Sequence, residues 1–166
     1  MNISRYLKED LIKMEMETLI EPPGENNSIE KWRLNAKQQV LAELVELLNK
    51  GTGVSNTNKL LIDFFNREKQ ATTAIGHGIA IPHIRSLQAR DFIIAVARST
   101  TGYEFAAMDE QPVHLFFVMA APPYEDTLYL RVFRTLAEML RYESVREELM
   151  AAQSAGEIIR TIRAAE

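Results

Sequence analysis

The amino-acid sequence predicts an α/β fold in which helices sandwich a small mixed β-sheet within a single domain. Apolar residues recur at helical spacing toward both ends of the chain. The middle instead holds two short, nearly continuous apolar runs, Phe92 to Ala97 and Val113 to Met119, as expected of strands covered on both faces. The length of 166 residues suits one domain with a sizeable core, so we predict that residues 1–166 form that domain.

The N-terminal third predicts an edge strand, a loop and two helices. Leu11 to Met16 alternates in part between apolar and polar residues, which favours a short edge strand. Residues 21–27 concentrate proline, glycine and asparagine and predict a loop. Ser28 is a candidate cap for the first helix, and Asn56 or Thr57 opens the second.

The remaining elements are shorter strands followed by three helices. Ala74 to Pro82 is rich in glycine and small β-formers, which predicts a strand, a tight loop and another short strand. Pro122-Pro123 ends the last strand, and a helix is expected from about Asp126 to Arg141. Ser144-x-x-Glu147 and Ser154-x-x-Glu157 have the form of capping boxes, and each predicts a short helix.

Composition excludes several classes of protein. The net charge of -4 disfavours a general nucleic-acid binder, so we expect no nucleic-acid partner. The chain has no cysteine, which excludes disulfides, cysteine-ligated metals and thiol catalysis. Met1 to Ile20 is charged throughout, and the longest apolar run, Leu115 to Ala121, is far shorter than the roughly 20 residues that span a bilayer. We therefore expect a soluble, cytoplasmic protein with no direct membrane insertion.

Histidine is the main candidate for chemistry, and the chain has three: His77, His83 and His114. We expect His83 to end a small-residue strand, immediately after Pro82, where a side chain projects from a rigid scaffold into a cleft. A neutral imidazole with one nitrogen hydrogen-bonded leaves the other as a nucleophile. Arg85 offers a planar donor fork suited to phosphate. On these residues alone, a purely structural histidine is the commoner outcome.

Other readings of the histidines are less favourable. A metal site between His77 and His83 lacks helical ligand spacing and has no carboxylate between the two residues. His114 lies in an apolar strand, so we expect a core or sheet-face histidine. Gly76 and Gly78 lack the third glycine of a dinucleotide fingerprint.

The same stretch carries a family resemblance. The pattern Glu68-(six residues)-Ile75-Gly-His-Gly-Ile-Ala-Ile-Pro-His83 resembles the phosphohistidine signature of the fructose/mannitol class of phosphotransferase-system (PTS) enzyme IIA, which includes nitrogen-regulatory IIA proteins. Phe105 to Leu115 resembles the family's F-x-A-x-D-G-x-P-V segment. Val145 to Leu149 and Ser154 to Ile159 resemble its closing helices. The match covers roughly residues 36 to 162, with a weaker echo at residues 2 to 14.

This resemblance implies a phosphotransferase mechanism. The family accepts a phosphoryl group on a histidine from the phosphocarrier HPr and passes it to a partner such as a IIB domain or a regulatory target. His83 would be the acceptor, and Arg67 would stabilise phosphoryl charge. We expect Arg85, Tyr129 and His77 to contribute to binding. No metal or organic cofactor is implied. Arg67 has an alternative role as a cation at a helix C-terminus.

The chain also departs from the family's pattern. Tyr129 opens the segment that resembles H-L-x-x-L-x-x-L-A, in place of a second histidine, and it cannot supply an imidazolium. Ile84 replaces a small residue, Glu110 replaces a turn glycine, and a loop near 21–34 is divergent. We interpret the chain as a stand-alone IIA-type carrier acting in sugar transport or nitrogen regulation. Two other classes remain open, a non-catalytic regulatory binding module with the same fold and a metal-dependent hydrolase.

Overall fold

Five helices and six strands make up the structure, a computed structural model that describes residues 1–166. The helices are α1 (Ile29–Asn49), α2 (Thr57–Gln70), α3 (Thr127–Met139), α4 (Glu143–Ala151) and α5 (Ala155–Ala165). The strands are β1 (Ile12–Lys13), β2 (Ala74–Gly76), β3 (Ile79–Ala80), β4 (His83–Arg85), β5 (Ile93–Tyr103) and β6 (Val113–Ala121). Two 3₁₀ helices, Ile3–Tyr6 and Glu9–Leu11, precede β1.

The strands form one mixed sheet in the order β1-β5-β6-β3-β2. The long central strands β5 and β6 are antiparallel, whereas β1 is parallel to β5. β3 and β4 both pair in parallel with β6, at Ile79↔Leu115 and His83↔Met119. They therefore follow one another along the same edge of β6, and the link between them, Ile81-Pro82, delivers His83 onto that edge.

The sheet lies between two helical layers, as the sequence predicts. Along β6, Phe116, Val118 and Ala120 belong to the apolar core shared with α1 and α2. Leu115, Phe117 and Met119 belong to the core shared with α3, α4, α5 and the first 3₁₀ helix. Both faces of the strand are buried, which explains why its sequence is a continuous apolar run rather than an alternating one.

Three of the predicted helix caps are confirmed and one is wrong. The side chains of Ser28, Asn56 and Ser154 accept hydrogen bonds from backbone N–H groups in the first turns of α1, α2 and α5. Ser144 lies inside α4, because extended Tyr142 ends the preceding turn and its carbonyl accepts the first helical bonds, from Val145 and Arg146. The helix therefore begins earlier than the capping-box pattern indicates.

Smaller differences concern the ends of elements. The edge strand near the N-terminus exists but is only two residues long, and β5 continues to Tyr103 through a register shift after Arg98. Residues 21–27 lie in a loop, whereas residues 29–34 of the divergent segment form the first turns of α1. None of the helices combines the length and apolar character needed to cross a membrane.

Candidate functional site

His83 begins a strand rather than ending one, which corrects the expectation from the sequence. β3 stops at Ala80, and Pro82 cannot donate a ladder hydrogen bond, so pairing with β6 restarts at His83. The backbone still tracks β6 across the interruption, because Met119 N–H donates to the carbonyl of Pro82 at 2.9 Å. The histidine is thus attached to the central strand on both sides of a rigid proline.

One imidazole nitrogen of His83 is held by the backbone. Its Nδ1 atom lies 2.6 Å from the carbonyl oxygen of Ile81. A carbonyl oxygen can only accept a hydrogen bond, so Nδ1 carries the proton and Nε2 carries the free lone pair. The hydrogen bond therefore selects the tautomer in which Nε2 is the nucleophile.

Two aromatic rings of α3 flank the imidazole. The ring centroids of Phe133 and Tyr129 lie 4.8 Å and 5.5 Å from that of His83. The resulting burial lowers the pKa of His83 below its ordinary value of 6.5. The Ile81 hydrogen bond and the charge of Glu68 oppose this effect, and the charge of Arg67 reinforces it. Near neutral pH the imidazole is accordingly uncharged and nucleophilic.

Two arginines share the cleft with His83. A cleft of about 460 Å³ is lined by Arg67, His83, Ile84, Arg85, Pro123 and Tyr129. Arg67 donates from Nη1 to the carbonyl of Ala71 at 2.9 Å, so it caps the end of α2 while remaining in the cleft wall. Arg85 is half exposed and lies 4.0 Å from Asp126 in a long, weak ion pair. Both guanidinium groups are placed to meet an anion beside His83.

Tyr129 lies in the same cleft, on the buried side of α3. Burial raises the pKa of its hydroxyl, against the opposing charges of Arg67 and Arg85. The group therefore remains a neutral phenol that can donate one hydrogen bond. The half-buried Ile84 side chain lines the cleft beside it, as expected from its position next to His83.

The structure does not bring His77 into this cleft. His77 lies on the exposed turn between β2 and β3 with φ +56°, and its N–H donates to Asp109 Oδ2 at 3.0 Å. The partners of β3 and β4 on β6 are Leu115 and Met119, four residues or about 13 Å apart, so the two histidines lie well apart. They do not form the shared metal site that was one alternative reading.

His114 occupies the sheet position expected of it. Its Nδ1 lies 2.9 Å from the carbonyl oxygen of Ser99 on β5, and the ring packs closely against the backbone of Gly102. A Cβ atom at Gly102 would come within 2.8 Å of that ring. His114 therefore links β6 to β5 through a hydrogen bond, and it does not line the His83 cleft.

Two contributors to the site were missed at the sequence level. The first contributor is the backbone carbonyl of Ile81. Its role could not be predicted from residue type, because every residue has a carbonyl and the backbone conformation alone determines where it points. The second contributor is Phe133 of α3, whose ring packs on the imidazole of His83. Aromatic residues one helical turn apart, at Tyr129 and Phe133, were the available signal.

A half-buried histidine with a free Nε2 lone pair, in a cleft that two arginines also line, is an arrangement that can accept a phosphoryl group. The model of the family "Phosphoenolpyruvate-dependent sugar phosphotransferase system, EIIA 2" matches residues 25–165. The chain belongs to this family of PTS enzyme IIA phosphoryl carriers.

The relatives include fructose-specific PTS components and a nitrogen regulatory protein. The chain is 31% identical over 141 residues to the fructose-specific EIIA component of Haloferax volcanii, covering 85% of this chain and 84% of that protein. It is 34% identical over 123 residues to the fructose-specific EIIABC component of Bacillus subtilis, covering 74% of this chain but only 19% of that longer protein. The crystal structure of nitrogen regulatory protein IIA-Ntr from Neisseria meningitidis superposes with a TM-score of 0.80 at 27% identity, covering 96% of this chain and 98% of that one.

Proposed function

We propose that this chain accepts a phosphoryl group on Nε2 of His83 from the phosphorylated phosphocarrier HPr and passes it on. One observation carries the proposal. The 2.6 Å contact between Nδ1 of His83 and the carbonyl of Ile81 leaves Nε2 unprotonated in a cleft that two arginines line. The proposal includes a cytoplasmic location, because the family's phosphoryl supply begins with the metabolite phosphoenolpyruvate.

The transfer is a single exchange of nitrogen–phosphorus bonds. The lone pair of Nε2 attacks the phosphorus atom of the donor's phosphohistidine, and the bond from phosphorus to the donor nitrogen breaks as the new bond forms. The donor imidazole keeps the electron pair of the broken bond. The proton on Nδ1 of His83 stays in place, and the Ile81 carbonyl stabilises the positive charge that develops on the ring.

The arginines supply what this chemistry most needs, which is positioning and charge stabilisation. The Arg67 side chain is held at one end by the Ala71 carbonyl, so its position is defined before the donor arrives. Arg85 is the more exposed of the two, and its weak pairing with Asp126 leaves it free to meet a phosphoryl oxygen. Together they would compensate the negative charge on a phosphorylated His83.

Two downstream acceptors fit the family, a IIB domain and a regulatory target protein. Tyr129 favours the regulatory role, since a neutral phenol stabilises a bound phosphoryl group without the cation that would promote rapid onward transfer. The same residue supports a second candidate, a binding module that keeps the fold and signals by contact while His83 is not phosphorylated.

Incubation with enzyme I, HPr and phosphoenolpyruvate separates these functions. The proposal expects one acid-labile, alkali-stable phosphate per chain, located on Nε2 of His83 by NMR of the phosphorylated protein. An unphosphorylated chain under conditions that label a known IIA protein would favour the binding module. Adding a IIB domain or candidate targets to the labelled protein then shows whether the phosphate leaves.

A further inference from the structure

A buried ion pair joins α1 to α2 at Glu68, the residue that follows Arg67 of the cleft wall. Lys37 Nζ of α1 and Glu68 Oε1 of α2 are 3.0 Å apart, and their side chains are only 6% and 1% exposed. Such a pair contributes little net stability, because removing two charges from water offsets most of their attraction. The hydrogen bonds that the two side chains make to other residues are therefore the more informative feature of the pair.

The Glu68 carboxylate holds Thr73, the residue just before β2. It accepts a hydrogen bond from the N–H of Thr73 at 2.7 Å, and the Thr73 hydroxyl lies 3.0 and 2.8 Å from its two oxygens. Lys37 donates in addition to the hydroxyl of Thr72 at 3.3 Å. The pair thus fixes two consecutive residues at a point where the chain leaves α2 and enters the sheet.

From Thr73 the connection continues to the nucleophile. The Thr73 carbonyl accepts the N–H of Ile81 at 3.0 Å, and the Ile81 carbonyl lies 2.6 Å from Nδ1 of His83. Three successive links, each a hydrogen bond to or from a defined backbone group, join the buried carboxylate to the reactive ring. Displacing Thr73 would move the peptide group that selects the tautomer of His83.

We infer that Glu68 is a positioning residue for phosphoryl transfer, acting through Thr73 and Ile81 to hold His83 with its proton on Nδ1 and its lone pair on Nε2. Only an anionic acceptor with two oxygens can take both donors of Thr73 and the ammonium of Lys37 at once. The expected effect on the transfer rate rests on the proposed function. The expected effect on the His83 tautomer does not, because the tautomer can be measured without any phosphoryl donor.

The chain provides a matched control in Glu43. This carboxylate pairs with Lys13 at 2.8 Å and accepts the N–H groups of Glu17 and Thr18, each at 2.9 Å. It is therefore the same kind of clamp, a carboxylate holding a lysine and two backbone amides. It secures the segment next to β1, at the opposite edge of the sheet from β3 and β2, with no connection to His83.

The test compares Lys37→Met/Glu68→Leu with Lys13→Met/Glu43→Leu, so that neither variant leaves an unpaired buried charge. The ¹⁵N spectrum of histidine-labelled protein reports the His83 tautomer, and single-turnover transfer from phospho-HPr reports the rate. In the first variant we expect a mixture of tautomers and a rate lower by roughly 10- to 100-fold, as for a misplaced reacting group. In the control both readouts should match the wild type.

A folded Lys37→Met/Glu68→Leu protein with the wild-type tautomer would overturn the inference, as would equal effects in the two double variants. Should that variant not fold, Lys37→Met/Glu68→Gln serves in its place. It leaves no unpaired charge and retains one acceptor for the two donors of Thr73, so a smaller change of the same sign is expected, and an unchanged tautomer overturns the inference. A wild-type protein that shows the Nδ1–H tautomer but takes no phosphate would contradict the proposed function, whereas the role of Glu68 would still be decided by the tautomers of the two double variants.

Discussion

His77 and His83 stand six residues apart in one motif, yet the fold gives them opposite surroundings. The imidazole of His83 is half buried, packs on two aromatic rings and hydrogen-bonds through Nδ1. His77 is exposed on a tight turn between Gly76 and Gly78, and its structural contact is made by the backbone N–H rather than by the ring. The same residue type, six positions apart in one motif, therefore has a ring held in a cleft at one position and a ring exposed to solvent at the other.

The difference arises from backbone conformation. Gly76, His77 and Gly78 have φ of +91°, +56° and +77°, so this segment reverses the chain and turns its side chain to solvent. Pro82 holds the approach to His83 extended and next to β6. The contrast predicts that substitutions at His83 and in its cleft change phosphoryl transfer, whereas substitution of His77 does not.

The largest contrast is expected from alanine substitution at each histidine. His83→Ala should reduce phosphate incorporation from phospho-HPr to background, because the nucleophile is gone, while His77→Ala should change the rate by no more than about twofold. Both proteins should stay folded, since neither ring fills the core. Labelling with phosphoenolpyruvate as the source measures the first effect, and circular dichroism checks the fold. Phosphate retained on His83→Ala and lost on His77→Ala would reverse the assignment.

Arg67 should produce the next largest effect, because it lies in the cleft of His83, whereas the contact of His77 is with the carboxylate of Asp109. Arg67→Ala should slow acceptance by about 30- to 1,000-fold, corresponding to the roughly 2–4 kcal/mol that one charge-assisted donor supplies in a transition state. Arg67→Lys should recover only part of this, since lysine lacks the guanidinium fork.

The matched control for this prediction is Lys69, a cation in the same last turn of α2 whose ammonium lies over the Phe65 ring instead of the cleft. Lys69→Ala should leave the transfer rate unchanged. If Arg67→Ala lowered thermal stability without slowing transfer, the hydrogen bond to Ala71 would be its whole role, as the helix-end alternative holds.

Much of this architecture could be predicted from the sequence, and the exceptions share a cause. The continuous apolar runs of β5 and β6 and the cap at Ser154 depend on residue type and spacing, and these predictions are confirmed. The family resemblance also pointed to His83 in the motif and to Arg67 just ahead of it, and both residues line the same cleft. The Ile81 carbonyl and the exclusion of His77 depend on backbone direction at a proline and at a glycine turn, which residue identity alone does not reveal.

The free energy of unfolding should depend on pH through the partly buried His83. Burial lowers the pKa of His83 in the folded protein below 6.5, so the unfolded chain binds more protons at this residue as the pH falls. The free energy of unfolding should therefore fall below about pH 6.5 and level off once the pH is below the folded-state pKa. Urea denaturation of the wild type and of His83→Gln between pH 7.5 and about 4.5 measures the difference. Parallel pH profiles for the two proteins would contradict a buried, neutral His83.

The smallest effect is expected from the Tyr129 hydroxyl, which distinguishes this cleft from the family's pattern of two histidines. Tyr129→Phe removes one neutral hydrogen-bond donor of about 0.5–1.5 kcal/mol, so the phosphohistidine lifetime should shorten by about two- to tenfold. Stability should barely change, because the ring still packs 5.5 Å from His83. The decay of labelled protein gives the lifetime directly, and an unchanged value would mean that the hydroxyl does not reach the phosphoryl group.

Tyr129→His tests the same position with a group that can carry charge. An unperturbed imidazole at this position would be protonated below about pH 6.5, and its positive charge should speed transfer there. The structure moves that expectation to lower pH, because the position is buried and both Arg67 and Arg85 act on it electrostatically, and each of these conditions disfavours an imidazolium. A phosphoryl group on His83 adds negative charge to the cleft, which favours the imidazolium and raises the pKa of the introduced histidine again. Single-turnover transfer from phospho-HPr should therefore accelerate only toward pH 5, whereas onward transfer from the phosphorylated protein should accelerate at a higher pH. Identical profiles for the two directions would show that a charge at this position does not act on the phosphoryl group.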